Sequence, residues 1–187
     1  YYETGVTAIT NVAVSNGGEW GNMRLSLTNS NQNGMTPNTY EKKNTINFSG
    51  TANLTDKLSF TAKVSYLNSN GNYNGTGYTF TNVGMQTVWT ARQADWEYMK
   101  NNIENPDGTP ISWINRWHDN PYWMAYKWLT PKNKNRLIGT ASLKYEFTDW
   151  LSLTVRAGTD YQTEKVEVKR AYHSINYREG RYQISNL

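Results

Sequence analysis

The sequence predicts an all-β chain: a run of antiparallel strands that forms part of a transmembrane β-barrel, with one long loop on its outer side. Three observations carry this. Apolar and polar residues alternate along six stretches, and a period of two puts one set on each face of a strand. The stretches come in pairs joined by tight turns, and each is about ten residues long, enough for a tilted strand to cross a bilayer. Aromatic residues are abundant, with 8 Trp, 14 Tyr and 4 Phe in 187 residues, as in the interfacial girdles of such barrels.

The elements follow in order. The first strand covers about 6–15, with Val6, Ala8, Val12 and Val14 on one side, while Ile9 and Ala13 blur the alternation. Asn16-Gly17-Gly18 is a turn signal. The second strand covers about 20–29, with Met23, Leu25 and Leu27 set against Arg24, Ser26 and Thr28. A loop containing Gly34 and Pro37 leads to the third, about 40–54, with Ile46, Phe48, Gly50, Ala52 and Leu54 on one face. Thr55-Asp56-Lys57 turns the chain into the fourth, about 58–68, where Leu58, Phe60, Ala62, Val64 and Tyr66 alternate with Ser59, Thr61, Lys63 and Ser65.

The alternation then stops. The Asn/Gly-rich run Asn68 to Gly77 ends the strand, and about 69–135 reads as one long loop with weak helical spacing between Val83 and Ile103 and a turn at Asn105-Pro106-Asp107-Gly108. So long a connection is uncommon in a compact soluble domain but ordinary on the outer side of a membrane barrel. The fifth strand, about 136–147, presents Leu137, Gly139, Ala141, Leu143, Tyr145 and Phe147. Thr148-Asp149-Trp150 turns into the sixth, about 151–163, with Leu153, Val155, Ala157, Thr159 and Tyr161 outward and Ser152, Thr154, Arg156, Gly158 and Asp160 inward. Val166 to His173 extends this strand, and the tail beyond it reads as a loop. Residues 54–61 and 147–154 echo each other across strand end, turn and strand start.

Composition narrows the classes. Mean hydropathy is −0.80, and no window approaches the twenty apolar residues of a spanning helix; in a barrel wall only alternate residues face lipid, so the average stays polar. There is no Cys, which removes disulfides and thiolate metal sites. The chain opens Tyr1-Tyr2-Glu3, without an initiator Met or a signal segment, and so reads as an internal piece of a longer protein. No catalytic motif stands out. His118 and His173 are far apart, and a lone loop His reads as a surface residue. No paired carboxylates have a fixed geometry, and neither a phosphate loop nor a zinc spacing occurs. The expectation is therefore no enzyme, no cofactor and no metal. Net charge is +4, but the cations are scattered and not interleaved with aromatics, so nucleic acid is set aside. Asn47, Asn53 and Asn74 open Asn-x-Ser/Thr matches; the first two fall in or beside the wall, against glycosylation.

Loop lengths set the expected orientation. Tight and long connections alternate, so they lie at opposite strand ends, and short turns face the periplasm in such barrels. Tyr40, Tyr66 and Tyr161 then fall at the outer end of the apolar face. Three basic groups, Lys42 and Lys43, Lys132 with Lys134 and Arg136, and Lys165 with Lys169 and Arg170, also fall at that end. There they read either as a solvated rim or as donors to phosphorylated outer-membrane lipid, with Lys132, Lys134 and Arg136 as the test group. Arg24, Lys63, Lys144, Glu146, Arg156 and Asp160 read as inward, lumen-side residues.

The candidate ligand-binding segment is the long loop. Trp89, Trp96, Trp113, Trp117, Tyr122 and Trp123 are the candidate substrate contacts, followed closely by Tyr126 and Trp128. Flat rings suit sugar faces and peptide side chains. The same rings also read as a small core that orders the loop, since ordering so long a segment requires buried apolar area.

Several runs carry a family resemblance: Val12-Ala13-Val14-Ser15-Asn16-Gly17-Gly18, Arg24-Leu25-Ser26-Leu27 and Asn33-Gly34-Met35-Thr36-Pro37-Asn38-Thr39, then Leu54-Thr55-Asp56-Lys57-Leu58, Asn120-Pro121-Tyr122-Trp123 and Asp149-Trp150-Leu151-Ser152-Leu153. In this order the chain resembles a barrel segment of SusC/RagA-type TonB-dependent transporters, over nearly its whole length. The resemblance implies about six strands of a barrel of about 22 strands, in the bacterial outer membrane, with a plug domain outside this chain. It implies a SusD-type surface lipoprotein lid, a TonB energy-coupling complex acting through the plug, and an oligosaccharide or peptide substrate. Two other readings share the strand pattern: a carbohydrate-binding β-sandwich, soluble or at the cell surface, which needs its apolar faces packed on one another, and a passive porin-type channel.

Overall fold

The computed structural model describes residues 1–73, 82–114 and 117–186. The apolar–polar alternation produces seven strands: β1 (Val6–Gly18), β2 (Gly21–Asn33), β3 (Tyr40–Thr55), β4 (Leu58–Asn72), β5 (Pro131–Thr148), β6 (Leu151–Arg170) and β7 (Arg181–Asn186). They form one antiparallel sheet in sequence order, open at β1 and β7. Three short helices, α1 (Val83–Trp89), α2 (Trp96–Asn101) and α3 (Pro121–Lys127), lie in the connection between β4 and β5.

Register aligns the alternation of every strand with that of its neighbours. Val14, Leu25, Phe48 and Val64 lie opposite one another across β1 to β4, and Gly139 and Thr159 continue the row on β5 and β6. The next rows read Met23, Gly50, Ala62, Ala141 and Ala157, then Ala52, Phe60, Leu143 and Val155. The reverse face carries Ser15, Arg24, Ser49, Lys63 and Thr140 at the same height. A one-residue slip anywhere would exchange the faces.

The echoed segments are two identical devices. Each hairpin closes on a pair, Thr55 with Leu58 and Thr148 with Leu151, around a two-residue turn. Each has a register shift one residue earlier, which leaves Leu54 and Phe147 as the extra residue of a bulge. Thr55 Oγ1 accepts from the Lys57 and Leu58 amides at 3.3 and 3.0 Å, which closes the first turn.

Four expectations are corrected. The first turn is Glu19-Trp20, because β1 runs on through Asn16-Gly17-Gly18 to pair Gly18 with Gly21. Gly21 has φ +136°, and a Cβ there would lie 2.0 Å from the Thr51 carbonyl. β4 continues past Asn68 to Asn72, since β3 and β5 pair with it on both sides and override its weak strand propensity. Gly71 is needed there: a Cβ would meet the Tyr40 carbonyl at 2.3 Å. β5 begins at Pro131 rather than near 136, and the tail holds a seventh strand paired with β6. The long connection is accordingly 73–130. Its expected Asn/Gly-rich start over 74–77, and Asn74, lie outside the described residues.

Tight turns and long connections do lie at opposite ends of the sheet: Gly18–Gly21, Thr55–Leu58 and Thr148–Leu151 at one, and 34–39, 73–130 and 171–180 at the other. Tyr66 and Tyr161 share one row across Leu137. Tyr40 does not join them; it pairs with Asn33 and Asn72, three rows nearer the loop end.

Candidate functional site

The described residues of the 73–130 connection fold into a cap at the loop end of the sheet. Its helices are short, and each begins on a side chain that accepts from a first-turn amide: Asn82 from Gly84 N, Asp95 from Tyr98 N, and Asn120 from Tyr122 N. Pro121 occupies the first turn of α3, where its missing N–H costs nothing. With so few turns, propensity alone cannot hold them, so packing does.

That packing is a cluster of Val83, Trp123, Met124 and Trp128, flanked by Tyr1, Ile103, Ala171 and Tyr177. The Trp123 indole donates to Glu104 Oε2 at 3.1 Å, and Lys127 Nζ lies 2.9 Å from the same oxygen. Glu104 is held by its bridge to Pro110, across the turn that Gly108 closes onto the Asn105 carbonyl at 2.9 Å. The Arg170 guanidinium sits 5.2 Å from the Trp128 ring centre and donates to the Leu129 carbonyl at 3.1 Å.

Two further segments are tied in. Asp119 is fully buried; it accepts from Ser174 Oγ at 2.6 Å and from the Ile175 amide at 2.9 Å, joining the cap to the loop 171–180. Burial pushes its carboxyl above the ordinary carboxylate value, against the lowering effect of those two donors. At the other side, the Tyr1 ring packs 5.0 Å from Tyr122 and 5.8 Å from Trp96, and burial pushes the Tyr1 phenol far above its usual range. Asn38 of the 34–39 loop donates to the Ala125 carbonyl at 2.9 Å.

His118 is the centre of a stack. Its imidazole lies between Trp89 and Trp113, at 6.3 and 5.6 Å between ring centres and nearly parallel to both. Nδ1 is 2.6 Å from Gln86 Oε1. At 7% exposure it is not the surface histidine its loop position suggested; the flanking indoles remove it from water. Burial lowers its pKa from 6.5, opposed by the neighbouring Asp119.

The six candidate contacts are therefore divided. Tyr122 and Trp123 are buried, Trp123 in the cluster itself. Trp96 is half-buried beside Tyr1 and Tyr122. Trp113 is half-buried in the histidine stack, its indole nitrogen enclosed without a hydrogen-bond partner. Trp89 closes the other side of the stack with half its surface open, and Trp117 stands out at 63% exposure. The structure brings Trp89 and Trp113 together across His118, and Trp96 and Tyr122 together across Tyr1. Neither set is near a described group of three or more His, Asp or Glu that could hold a metal. Sequence reasoning missed Asp119 and Tyr1 as anchors. Asp119 sits within a capping run, Asp119-Asn120-Pro121, which gives no hint that its carboxylate bonds a loop 55 residues on.

Register also reassigns the basic groups. Lys132, Lys134 and Arg136 alternate onto the polar face, opposite the apolar rows. Lys132 pairs there with Glu164 at 2.9 Å, and Arg136 takes Asp160 with both Nε and an outer nitrogen, at 2.9 and 2.6 Å. Lys42 and Lys165 fall on the apolar side. No protein-family model matches the chain, and no curated protein matches it.

Proposed function

We propose that the chain is a barrel-wall portion of an outer-membrane nutrient importer of the SusC/RagA type, with the cap as part of its outer, substrate-facing surface. One observation carries the membrane wall. In β3 the apolar residues are the exposed ones, with Ile46 at 43% and Phe48 at 38%, while Thr45, Asn47 and Ser49 between them are half-buried. A water-soluble sheet places these faces the other way round. One exposed row, Val12, Leu27, Ile46, Tyr66, Leu137 and Tyr161, crosses six strands, and the rows beside it add to a patch larger than soluble monomers tolerate. From Leu137 to Phe147 the band is about ten residue steps, or about 25 Å tall at about 3.3 Å per residue and a tilt of about 40°. Among the described residues, no element packs across this face, so the β-sandwich reading lacks its second layer.

The importer reading rests on the ordered resemblance, the alternation of tight and long connections, and a cap large enough to carry its own aromatic core. Oligosaccharide or peptide would meet the open rings of Trp89 and Trp117 first. A SusD-type lid, a plug and an energy-coupling partner follow from the same resemblance.

The chain has no Cys, so single-cysteine variants report cleanly. In vesicles, Leu25→Cys and Val64→Cys are expected to resist a water-soluble maleimide, while Ser26→Cys and Ser65→Cys react. Equal reactivity of both sets would end the wall reading. For the cap, Trp113→Ala and Trp117→Ala in the transporting protein are expected to weaken ligand retention or lid docking; unchanged uptake and unchanged complex stability in both would remove these rings from function.

A further inference from the structure

Above the tyrosine row the outward face changes character. Asn29, Asn44, Asn68 and Asn135 stand side by side across β2 to β5. Their amides are linked, Asn29 to Asn44 at 2.7 Å and Asn68 to Asn135 at 2.7 Å, and the Tyr66 hydroxyl donates to Asn135 at 3.0 Å. Asn29 also accepts from Asn31 at 2.6 Å and Asn135 accepts twice, but each amide carries two N–H donors and these bonds use at most one of them, which leaves donor capacity on every member of the row. One row further, Lys42 and Lys165 flank Asn70 and Asn133 in register. This second row lies about 10 Å above the tyrosines, at headgroup depth if the apolar band fills the hydrocarbon core.

The sheet also sorts its charges by face. Glu41 and Glu164 point to the polar side, where they bond Ser69 and Lys132. On the outward side the acid beside these lysines is Glu167, shared between Lys165 at 2.8 Å and Lys169 at 2.9 Å and held well below the usual carboxylate range by both. One carboxylate cannot neutralise Lys42, Lys165 and Lys169, so the face keeps a positive excess. Lys42 and Lys165 stand three strand spacings apart, about 14 Å, on the scale of a disaccharide with a phosphate at each end.

We propose that this amide row and the lysine row above it bind the phosphorylated sugar headgroup of an outer-leaflet glycolipid, with Lys42 and Lys165 on phosphate and the asparagines on sugar hydroxyls. The proposal rests on the membrane-wall reading. It assigns the contact to lysines other than the Lys132, Lys134 and Arg136 group, because the pleat turns that group inward.

The test uses the transporting protein that carries this chain, in nanodiscs of phosphatidylcholine doped with a bis-phosphorylated glycolipid or its dephosphorylated form. Bound glycolipid is read by native mass spectrometry. Wild type is expected to retain the phosphorylated form preferentially. Lys42→Ala with Lys165→Ala should cut retention about 25-fold, a factor of about five for each lysine near an anionic surface. Lys43→Ala with Lys134→Ala, an equal charge loss one residue away on the polar face, should leave it unchanged. Asn29→Ala with Asn44→Ala should lower the preference for glycolipid over phosphatidic acid, which offers phosphate without sugar. Equal losses in the two lysine pairs, or equal retention of the dephosphorylated form, overturn the proposal. Leu25→Cys, read in the same discs, separates the two failures. If it is shielded and no preference appears, only the lipid site falls; if it reacts freely, the wall reading falls with it.

Discussion

Leu25 in the wall and Trp123 in the cap are both large apolar side chains, yet one is 45% exposed and the other 1%. The wall spreads its apolar residues over one face of a single sheet, and among the described residues no element covers them. The cap, built from the same chain, gathers Val83, Trp123, Met124 and Trp128 into a closed cluster held by helix caps, the Lys127–Glu104 ion pair and a buried aspartate. The Val83, Trp123, Met124 and Trp128 cluster is buried within the chain, while Trp89 and Trp117 stay open beside it. Burial in the sheet is incomplete, and that is the ground on which a membrane setting is proposed for it.

Substitutions can break or sharpen that contrast. Trp123→Ala should have the largest effect. It empties the cap cluster at a cost of about 3–5 kcal/mol and should expose 82–130 to protease, while Leu25→Cys stays shielded in vesicles; loss of shielding would mean that wall and cap fold as one unit. Phe48→Arg should do the converse. A cation mid-band costs about 2–4 kcal/mol in a bilayer, read by urea titration in vesicles, and Ser49→Arg on the polar face should cost far less. Equal costs would contradict the assignment of faces.

Asp119→Ala probes the seam between cap and loop. It leaves the Ser174 hydroxyl and the Ile175 amide without their buried acceptor, a loss of about 1–3 kcal/mol. Faster hydrogen exchange at Ile175 with unchanged exchange in β3 is expected.

The smallest effect is a pH dependence. The folded cap depresses the His118 pKa below 6.5, so the unfolded segment takes the proton first. This contribution is complete above pH 6.5 and is lost as pH falls through the folded value. Asp119, with a raised pKa, acts oppositely: its contribution is present at acid pH and fades as pH rises through its folded value. His118→Gln should therefore flatten the decline of cap stability as pH falls below 6.5, followed by tryptophan fluorescence during thermal melts. An identical pH profile in wild type and variant would remove His118 as the cause.

Much of the wall was legible in the residues themselves. A period of two is a local property, so Met23, Leu25 and Leu27, or Phe60, Ala62 and Val64, declare a shared face without any knowledge of their neighbours. The echo of 54–61 in 147–154 likewise marked two bulged hairpins of one design. Strand ends were less legible. Asn68 to Asn72 and Lys132 to Asn135 lack strand propensity and are extended because each lies between paired neighbours.

The sequence by itself determined which residues share a face, where the three tight turns fall within a residue or two, and that rings crowd the long connection. Tertiary structure alone decided the register that sends Lys42 and Lys165 outward and Lys132, Lys134 and Arg136 inward. It also decided which indoles are core and which are open, and the partnership of Asp119 with a loop 55 residues away. The physical reason is range. Alternation and turn chemistry act between neighbours in the chain, whereas burial, register and the pKa of a buried group depend on atoms that only folding brings together.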